Sequence, residues 1–212
     1  MSRSREPFAS LLLYYAFKWS IVSPVLHGYL RGRIYGAENV PQEGPLVVVS
    51  NHASDFDPPI LSSSMRRPVA FMAKEELFRI PLLKQGIELY GAYPVKRGAA
   101  DRSAIRAALE CLEEGWAVGL YLGGTRTPDA RITEPKQGAA WIAAKAKVPI
   151  LPVSLWGTEA IFKQGSAIPR PVPVTVRIGQ VIEPPASTKR EELEALTKHC
   201  AEAIHALHDL GR

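Results

Sequence analysis

Cysteine is scarce in this sequence of 212 residues, which contains only Cys111 and Cys200. Two cysteines cannot form a disulfide framework, and no group of cysteines and histidines has zinc-site spacing, so we expect a reducing compartment and no bound metal. The sequence also lacks internal repeats, low-complexity tracts and a clear linker. Because 46% of the residues are hydrophobic and 22% are charged, a disordered segment and a polytopic membrane protein are excluded. These absences and this composition indicate a globular chain.

Acidic residues are scarce at the amino end of the chain. The net charge is +5, and residues 1–33 account for +4 of it, because they hold five basic residues against Glu6 alone. A basic balance suggests a polyanionic partner, which could be nucleic acid, an anionic membrane or a phosphorylated substrate. No helix-turn-helix, RNA-binding strand motif or basic helix is recognisable, so we do not expect nucleic-acid binding. The position of the charge favours anionic lipid instead.

Residues 1–33 are predicted to form an N-terminal arm that associates with a membrane. Lys18 is the only formal charge between Pro7 and Leu30, and this apolar, aromatic stretch has basic flanks. Serines, His27 and Pro24 interrupt it, so we expect two short interfacial helices and no clean membrane span. The alternative is a terminal helix that packs on the protein's own core. The residues expected to contact the membrane are Leu12, Tyr14, Tyr15, Phe17 and Trp19.

Residues 34–212 are predicted to form one α/β domain, because strand patterns alternate with helix patterns. Short β-branched runs predict strands at residues 45–50, 69–72, 117–121, 150–155 and 172–178. Helical spacing predicts helices at residues 58–65, 101–114, 138–147 and 189–207. This alternation is typical of a largely parallel central sheet flanked by helices.

Candidate catalytic residues follow the first of these predicted strands. His52 lies just beyond the strand's carboxyl end, where ligands and catalytic groups gather in such sheets. Asp57, five residues later, can reach back to one imidazole nitrogen and leave the other free as a base. Two other interpretations remain open: Asp57 before Pro58 also fits a helix N-cap, and His52 could be a loop histidine without a chemical role.

Four blocks of sequence strengthen the catalytic interpretation. They are Asn51-His52 with Asp57, residues 91–98 (GAYPVKRG), Gly124-Thr125-Arg126, and residues 148–153 (VPILPV). In this order they resemble the blocks of the glycerophospholipid acyltransferases, and the resemblance covers most of the chain. It implies the acyltransferase α/β fold and an enzyme that moves a fatty acyl group from a thioester to the sn-2 hydroxyl of a lysophospholipid, such as 1-acylglycerol-3-phosphate.

The resemblance also implies roles and partners. His52 would be the general base and Asp57 would orient it, with direct attack on the thioester and no acyl-enzyme. No cofactor is implied; the co-substrate would be acyl-CoA or acyl carrier protein, and attachment would be peripheral or monotopic at the cytoplasmic face of the inner membrane. The implied substrate-binding residues are Asn51, Lys96, Arg97, Gly123, Gly124, Thr125, Arg126 and Pro152.

One position departs from the family pattern. Gly123 stands where the third block of the family carries a glutamate. Tandem glycines can still direct backbone N–H groups at an anion, so phosphate binding could survive. The departure nevertheless leaves two alternatives to the expected enzyme: a catalytically impaired or silent homologue that binds anionic lipid, or an acyltransferase for a different lyso-lipid.

Overall fold

The computed structural model describes residues 6–79, 84, 87, 92–95, 102–162 and 168–212, and within them a seven-stranded sheet forms the centre of the fold. The strands are β1 (Arg33–Tyr35), β2 (Leu46–Ser50), β3 (Val69–Lys74), β4 (Tyr93–Val95), β5 (Ala117–Tyr121), β6 (Ile150–Trp156) and β7 (Thr175–Ile178). Their order across the sheet is β1-β7-β6-β2-β5-β3-β4. Strands β2 to β6 are parallel, whereas β7 runs antiparallel to β6 and β1 runs parallel to β7. The predicted α/β class with a largely parallel sheet is confirmed.

Helices cover both faces of this sheet. They are α1 (Phe8–Phe17), which continues through π-helical turns at Lys18–Val22 and Pro24–Tyr29, then α2 (Asp57–Ser64), α3 (Arg102–Glu113), α4 (Gly138–Ala146) and α5 (Arg190–Asp209). Short 3₁₀ turns lie at Ala37–Asn39, Glu75–Arg79 and Thr158–Ala160. The predicted helices and the longer predicted strands are confirmed with small shifts at their ends. Strands β1 and β4 were not predicted, because three residues are too few to show a period.

Strand β2 lies in the middle of the sheet and is buried on both faces. All five of its residues are buried. Val47 and Val49 pack into a core that includes residues of α3, α4 and α5. Leu46 and Val48 pack into a second core on the opposite face, which includes residues of α2 and of the N-terminal helix. The continuous apolar run predicted this double burial, because a strand covered on both faces needs no polar alternation.

The N-terminal segment is one helical stretch, so the expectation of two short helices is wrong. Phe8–Tyr29 forms a helix of 22 residues that is long and apolar enough to cross a membrane, judged by length and composition alone. Pro24 does not break it, because the surrounding turns are π-helical, with the amide of Ser23 donating to the carbonyl of Lys18 five residues earlier. The wider turn accommodates the residue that lacks an N–H group.

The N-terminal helix packs on the domain along one side. Tyr14, predicted to contact the membrane, is fully buried, and its hydroxyl donates to the carbonyl of Ser62 in α2 at 3.0 Å. That prediction is therefore wrong for Tyr14, because this side of the helix faces α2. The other four predicted contact residues have exposed fractions of 62% for Leu12, 37% for Tyr15, 39% for Phe17 and 66% for Trp19.

Candidate active site

The carboxyl end of β2 carries the candidate dyad. Nδ1 of His52 lies 2.7 Å from Oδ2 of Asp57. The same carboxylate oxygen accepts hydrogen bonds from the backbone N–H groups of Ala53 at 2.7 Å and Ser54 at 2.8 Å. Asp57 is fully buried, whereas the His52 side chain is 17% exposed. Asp57 begins α2 without capping it, so the N-cap interpretation does not describe this carboxylate.

This geometry fixes the tautomer of His52. A carboxylate accepts hydrogen bonds, so Nδ1 carries the proton that it donates to Asp57. Nε2 then has a free lone pair, and within the described part of the chain it has no hydrogen-bond partner. A partly exposed imidazole with one nitrogen held by a buried carboxylate can act as a general base. The catalytic role of the pair is still a prediction, but its geometry suits that role.

An aromatic ring that sequence reasoning missed lies against His52. The ring centroids of His52 and Tyr121 are 3.7 Å apart, and the rings are within 10° of parallel. The Tyr121 hydroxyl is buried and has no hydrogen-bond partner among the described residues. Burial, followed by the charges of Asp57 and Asp55, raises the pKa of this phenol well above its usual range, so it is neutral. Tyr121 ends β5 beside the end of β2, a position that could have identified it.

The glycine-rich segment lies beside the dyad because the backbone fastens it there. The amide of Leu122 donates to the carbonyl of Ser50 at 2.9 Å, and the amide of Thr127 donates to the carbonyl of His52 at 3.0 Å. These two bonds bracket Gly123, Gly124, Thr125 and Arg126. Gly124 needs to be glycine, because its φ of +72° lies in the left-handed region. The third block and the dyad are thus brought together.

Arg126 pairs with an acid from the dyad loop. Its Nη1 lies 2.5 Å from Oδ2 of Asp55, and both side chains are well exposed. The pair joins the loop before α2 to the glycine-rich segment. Because only Nη1 is engaged there, Arg126 keeps other guanidinium donors that suit a phosphate.

A family comparison agrees with these features. The acyltransferase family model matches residues 31–156, which is more than half of the chain. The chain belongs to the acyltransferase family. This membership confirms the resemblance on which the sequence interpretation relied.

Individual relatives of this acyltransferase-family protein are plant and bacterial enzymes by name. It is 33% identical over 151 residues to a chloroplastic 1-acyl-sn-glycerol-3-phosphate acyltransferase of Brassica napus, covering 70% of this chain and 43% of that protein. It is 31% identical over 142 residues to the 1-acyl-sn-glycerol-3-phosphate acyltransferase of Bacillus subtilis, covering 64% and 70%. The chain thus spans less than half the length of the Brassica relative.

A solved structure has the same fold as this chain. The crystal structure of the 1-acyl-sn-glycerophosphate acyltransferase PlsC of Thermotoga maritima matches with a TM-score of 0.70 and 25% identity. The match covers 93% of this chain and 94% of that one. The arrangement of the whole sheet and its helices is therefore that of the family.

Two predicted substrate-binding residues of the acyltransferase-family protein are structural instead. Asn51 is buried, and its amide donates to the carbonyls of Ala130 and Leu155 and accepts from the amide of Leu155, at 2.8 to 2.9 Å. With its polar atoms engaged by backbone, Asn51 fastens the dyad loop and cannot also bind a substrate. Pro152 is buried within β6 opposite Val49 and packs near Gly179, so it does not line the site. Both predictions are corrected.

Two further predicted substrate-binding residues belong to the second sequence block. Lys96 and Arg97 lie outside the described residues. Within the described part of the chain, no group of three or more histidine, cysteine, aspartate or glutamate side chains could hold a metal ion.

Proposed function

We propose that this protein transfers a fatty acyl group from an acyl thioester to the sn-2 hydroxyl of 1-acylglycerol-3-phosphate, forming phosphatidic acid. The observation that carries the proposal is the contact between His52 Nδ1 and the buried carboxylate of Asp57, at the carboxyl edge of the sheet. Family membership and the names of the relatives support the choice of reaction and acceptor.

The proposed reaction needs one base. Nε2 of His52 accepts the proton of the sn-2 hydroxyl as its oxygen bonds to the thioester carbonyl carbon. The carboxylate of Asp57 stabilises the imidazolium that forms. When the tetrahedral intermediate collapses, the carbon–sulfur bond breaks and the sulfur takes the proton from Nε2. The products are an ester and a free thiol, and the base returns to its starting state without a cofactor. Either acyl-CoA or acyl carrier protein can supply such a thioester.

The phosphate of the acceptor is proposed to bind at the glycine-rich segment. Arg126 supplies a guanidinium beside the dyad, and Gly123, Gly124 and Thr125 supply backbone amides in the same segment. Lys96 and Arg97 are further proposed contacts. This assignment places the charged head of the acceptor close to His52, as transfer to the neighbouring glycerol hydroxyl requires.

Attachment to the cytoplasmic face of the inner membrane is proposed through the N-terminal helix. Its outer side exposes apolar and aromatic residues, including Phe8 at 80%, Trp19 at 66% and Leu12 at 62%. Its inner side is fixed to the domain by buried Tyr14 and Leu26, and buried Leu30 follows directly after its end. A helix held along one side by its own domain suits insertion into the membrane surface better than a passage through the bilayer. We therefore propose peripheral or monotopic attachment.

Gly123 favours a second candidate, an anionic-lipid-binding homologue without catalytic activity. The family carries a glutamate at this position, and here no carboxylate stands between Leu122 and Gly124. A change in acceptor choice would be the milder consequence of the same substitution. Both alternatives keep the lipid surface and the cationic segment, and they differ from the main proposal in turnover.

An acyl-transfer assay separates these candidates. Purified protein is incubated with a panel of lyso-acceptors and with acyl-CoA or acyl carrier protein, and the products are identified by mass. We expect product from 1-acylglycerol-3-phosphate, and a loss of turnover of roughly 10²–10⁴-fold in His52→Ala. His199→Ala, an exposed histidine on α5, is the matched control and should retain activity. Lipid binding with no product from any acceptor would favour the silent homologue, and product from another acceptor alone would revise the substrate.

A further inference from the structure

Two aromatic rings pack next to the candidate base. The imidazole of His52 stacks on the ring of Tyr121. The ring of Phe71 also packs against Tyr121, with a centroid distance of 5.7 Å and an interplanar angle of 23°. Phe71 lies opposite Gly119 in the pairing of β3 with β5. A Cβ atom at Gly119 would collide with the Phe71 ring, so the absence of a side chain there makes room for Phe71 beside Tyr121.

We propose that Tyr121 is a positioning residue for His52, holding the imidazole plane and stabilising its protonated form through the face of the phenol ring. This proposal rests on the proposed function, in which His52 accepts a proton during transfer. Asp57 holds the edge of the imidazole at Nδ1, and rotation of the ring about its Cβ–Cγ bond would break that hydrogen bond. The parallel ring of Tyr121 at 3.7 Å opposes the same rotation from the face of the imidazole.

The stack favours the charged form of His52 over the neutral one. A cation over the face of an aromatic ring is attracted by the ring quadrupole, and the attraction grows where water is excluded. The imidazole becomes such a cation only while it holds the proton of the acceptor hydroxyl. An interaction that is stronger in that state lowers the barrier to transfer instead of merely tightening substrate binding.

The Tyr121 hydroxyl is not needed for this role. It is buried without a hydrogen-bond partner among the described residues, so it does not hold the ring in place. Its removal should therefore leave the stack intact, and the ring and the hydroxyl can be separated by substitution.

The test compares three substitutions at position 121 in the full chain: Tyr121→Phe, Tyr121→Leu, and replacement of Tyr121 by 3,4,5-trifluorophenylalanine. Steady-state transfer is measured between pH 5 and pH 9 with 1-acylglycerol-3-phosphate as acceptor. The titration of the His52 imidazole is followed separately by NMR, assigned with His52→Gln. The fluorinated ring keeps the size of phenylalanine but has a less negative face, so it reports on charge stabilisation even if Tyr121→Leu does not fold.

We expect Tyr121→Phe to retain kcat within about twofold, and Tyr121→Leu to lower kcat by roughly 2- to 30-fold with little change in KM. The acidic limb of the kcat profile and the imidazole titration should both move to lower pH in Tyr121→Leu. The fluorinated variant should lie between Phe and Leu. Trp116→Leu, a buried aromatic residue just before the start of β5, is the matched control and should lower stability without moving either titration.

Three results would overturn the proposal: a Leu variant with wild-type kcat and an unmoved titration, a Phe variant as impaired as the Leu variant, or a fluorinated variant indistinguishable from the Phe variant. If the wild-type protein transfers no acyl group, the proposed function fails, whereas the His52 titration in the same variants still decides whether the stack stabilises the cation.

Discussion

Arg67 and Glu6 form an ion pair in which neither side chain is exposed to solvent. Nε of Arg67 donates to Oε1 of Glu6 at 2.6 Å, and both side chains have 0% exposure. The remaining guanidinium donors bond to the carbonyls of Pro41, Gly44 and Gly115. Glu6 lies two residues before the first residue of the N-terminal helix, so this pair fastens the start of that helix to the loops that precede β2 and β5.

Removal of Glu6 should destabilise the protein strongly. Glu6→Ala leaves the Arg67 charge buried without its partner, and we expect a loss of about 3–5 kcal/mol in the free energy of unfolding, measured by denaturant titration. Glu43→Ala, at an exposed position on the loop before β2, should change stability by less than about 0.5 kcal/mol. If Glu6→Ala lowered the free energy of unfolding by less than about 1 kcal/mol, the three carbonyl groups would be sufficient partners for the buried guanidinium without Glu6.

Asp57→Asn tests the orientation of the base. The asparagine oxygen can still accept from Ala53, Ser54 and Nδ1 of His52, but the neutral amide carries no charge to stabilise an imidazolium. We expect kcat to fall roughly 10²–10⁴-fold while the protein remains folded, as measured by transfer kinetics and circular dichroism. Asp209→Asn, which removes an exposed partner of Arg131, is the control and should keep full activity.

A glutamate at position 123 should fit without strain. A Cβ atom there would approach the Thr125 carbonyl no closer than 3.8 Å and Ile132 no closer than 4.0 Å, and Gly123 does not have a positive φ. Gly123→Glu should therefore fold with a change of less than about 1 kcal/mol. Because the substitution restores the family residue, we expect it to change the acceptor KM or kcat.

Gly124→Ala is the comparison for stability, because it adds a side chain to the neighbouring glycine of the same segment. An alanine at position 124 would have to adopt a φ of +72°, which should lower the free energy of unfolding by about 1–2 kcal/mol. Unchanged activity and acceptor affinity in Gly123→Glu would show that the missing glutamate has no consequence in this protein.

Asp55→Asn should tighten binding of a phosphate-bearing acceptor. Asp55 occupies one donor of Arg126, and its negative charge repels a phosphate at the same guanidinium. We expect the acceptor KM to fall about threefold at low salt and less at high salt, with little effect on stability because the pair is exposed. In an Arg126→Gln background the same change should have no effect. A higher KM in Asp55→Asn would mean that Asp55 holds Arg126 in its binding orientation.

Stability should decrease as pH falls, in part through His208. Its Nδ1 lies 3.2 Å from Oγ of buried Ser154. Burial, followed by the charge of Arg131, lowers the pKa of His208 below its usual 6.5, and its other charged neighbours are Asp209, His205 and Asp129. The unfolded chain therefore binds this proton more readily. The contribution of neutral His208 is fully present above pH 6.5 and is lost as pH falls through the lower folded value.

Unfolding in denaturant at pH 7.5 and pH 5.5 measures this effect. His208→Gln should reduce the loss of stability between the two pH values. His199→Gln, on an exposed side of the same helix, should leave that loss unchanged. An identical pH dependence in wild type and His208→Gln would exclude His208 as its source.

The central strands and the dyad could be predicted because their information is local. A β-branched run predicted β2, helical spacing predicted α3 to α5, and Asp57 follows His52 by only five positions. The face of the N-terminal helix that packs could not be predicted, because α1 is apolar on all sides and periodicity does not distinguish buried Tyr14 from exposed Tyr15. Similarly, Pro24 predicts a break only if the helix keeps ordinary α-helical turns.

Residues whose role depends on distant backbone were the ones misjudged. Asn51 beside a candidate base looks like a substrate contact, but its partners Ala130 and Leu155 lie 79 and 104 positions away in sequence. The position of Tyr121 at the end of β5 indicates the edge of the sheet that carries the site, but its contact with His52 depends on the register of β5 with β2. Tertiary hydrogen bonds and sheet register therefore set the limit of sequence interpretation here.

The central position of β2 also determines how the site responds to local and global unfolding. This strand is hydrogen-bonded to β5 on one side and to β6 on the other, and its residues are fully covered. Amide protons of residues 47–50 should therefore exchange with solvent only when the whole domain opens. Because His52 lies only two residues beyond this strand, heat should inactivate the site and melt the protein in a single transition.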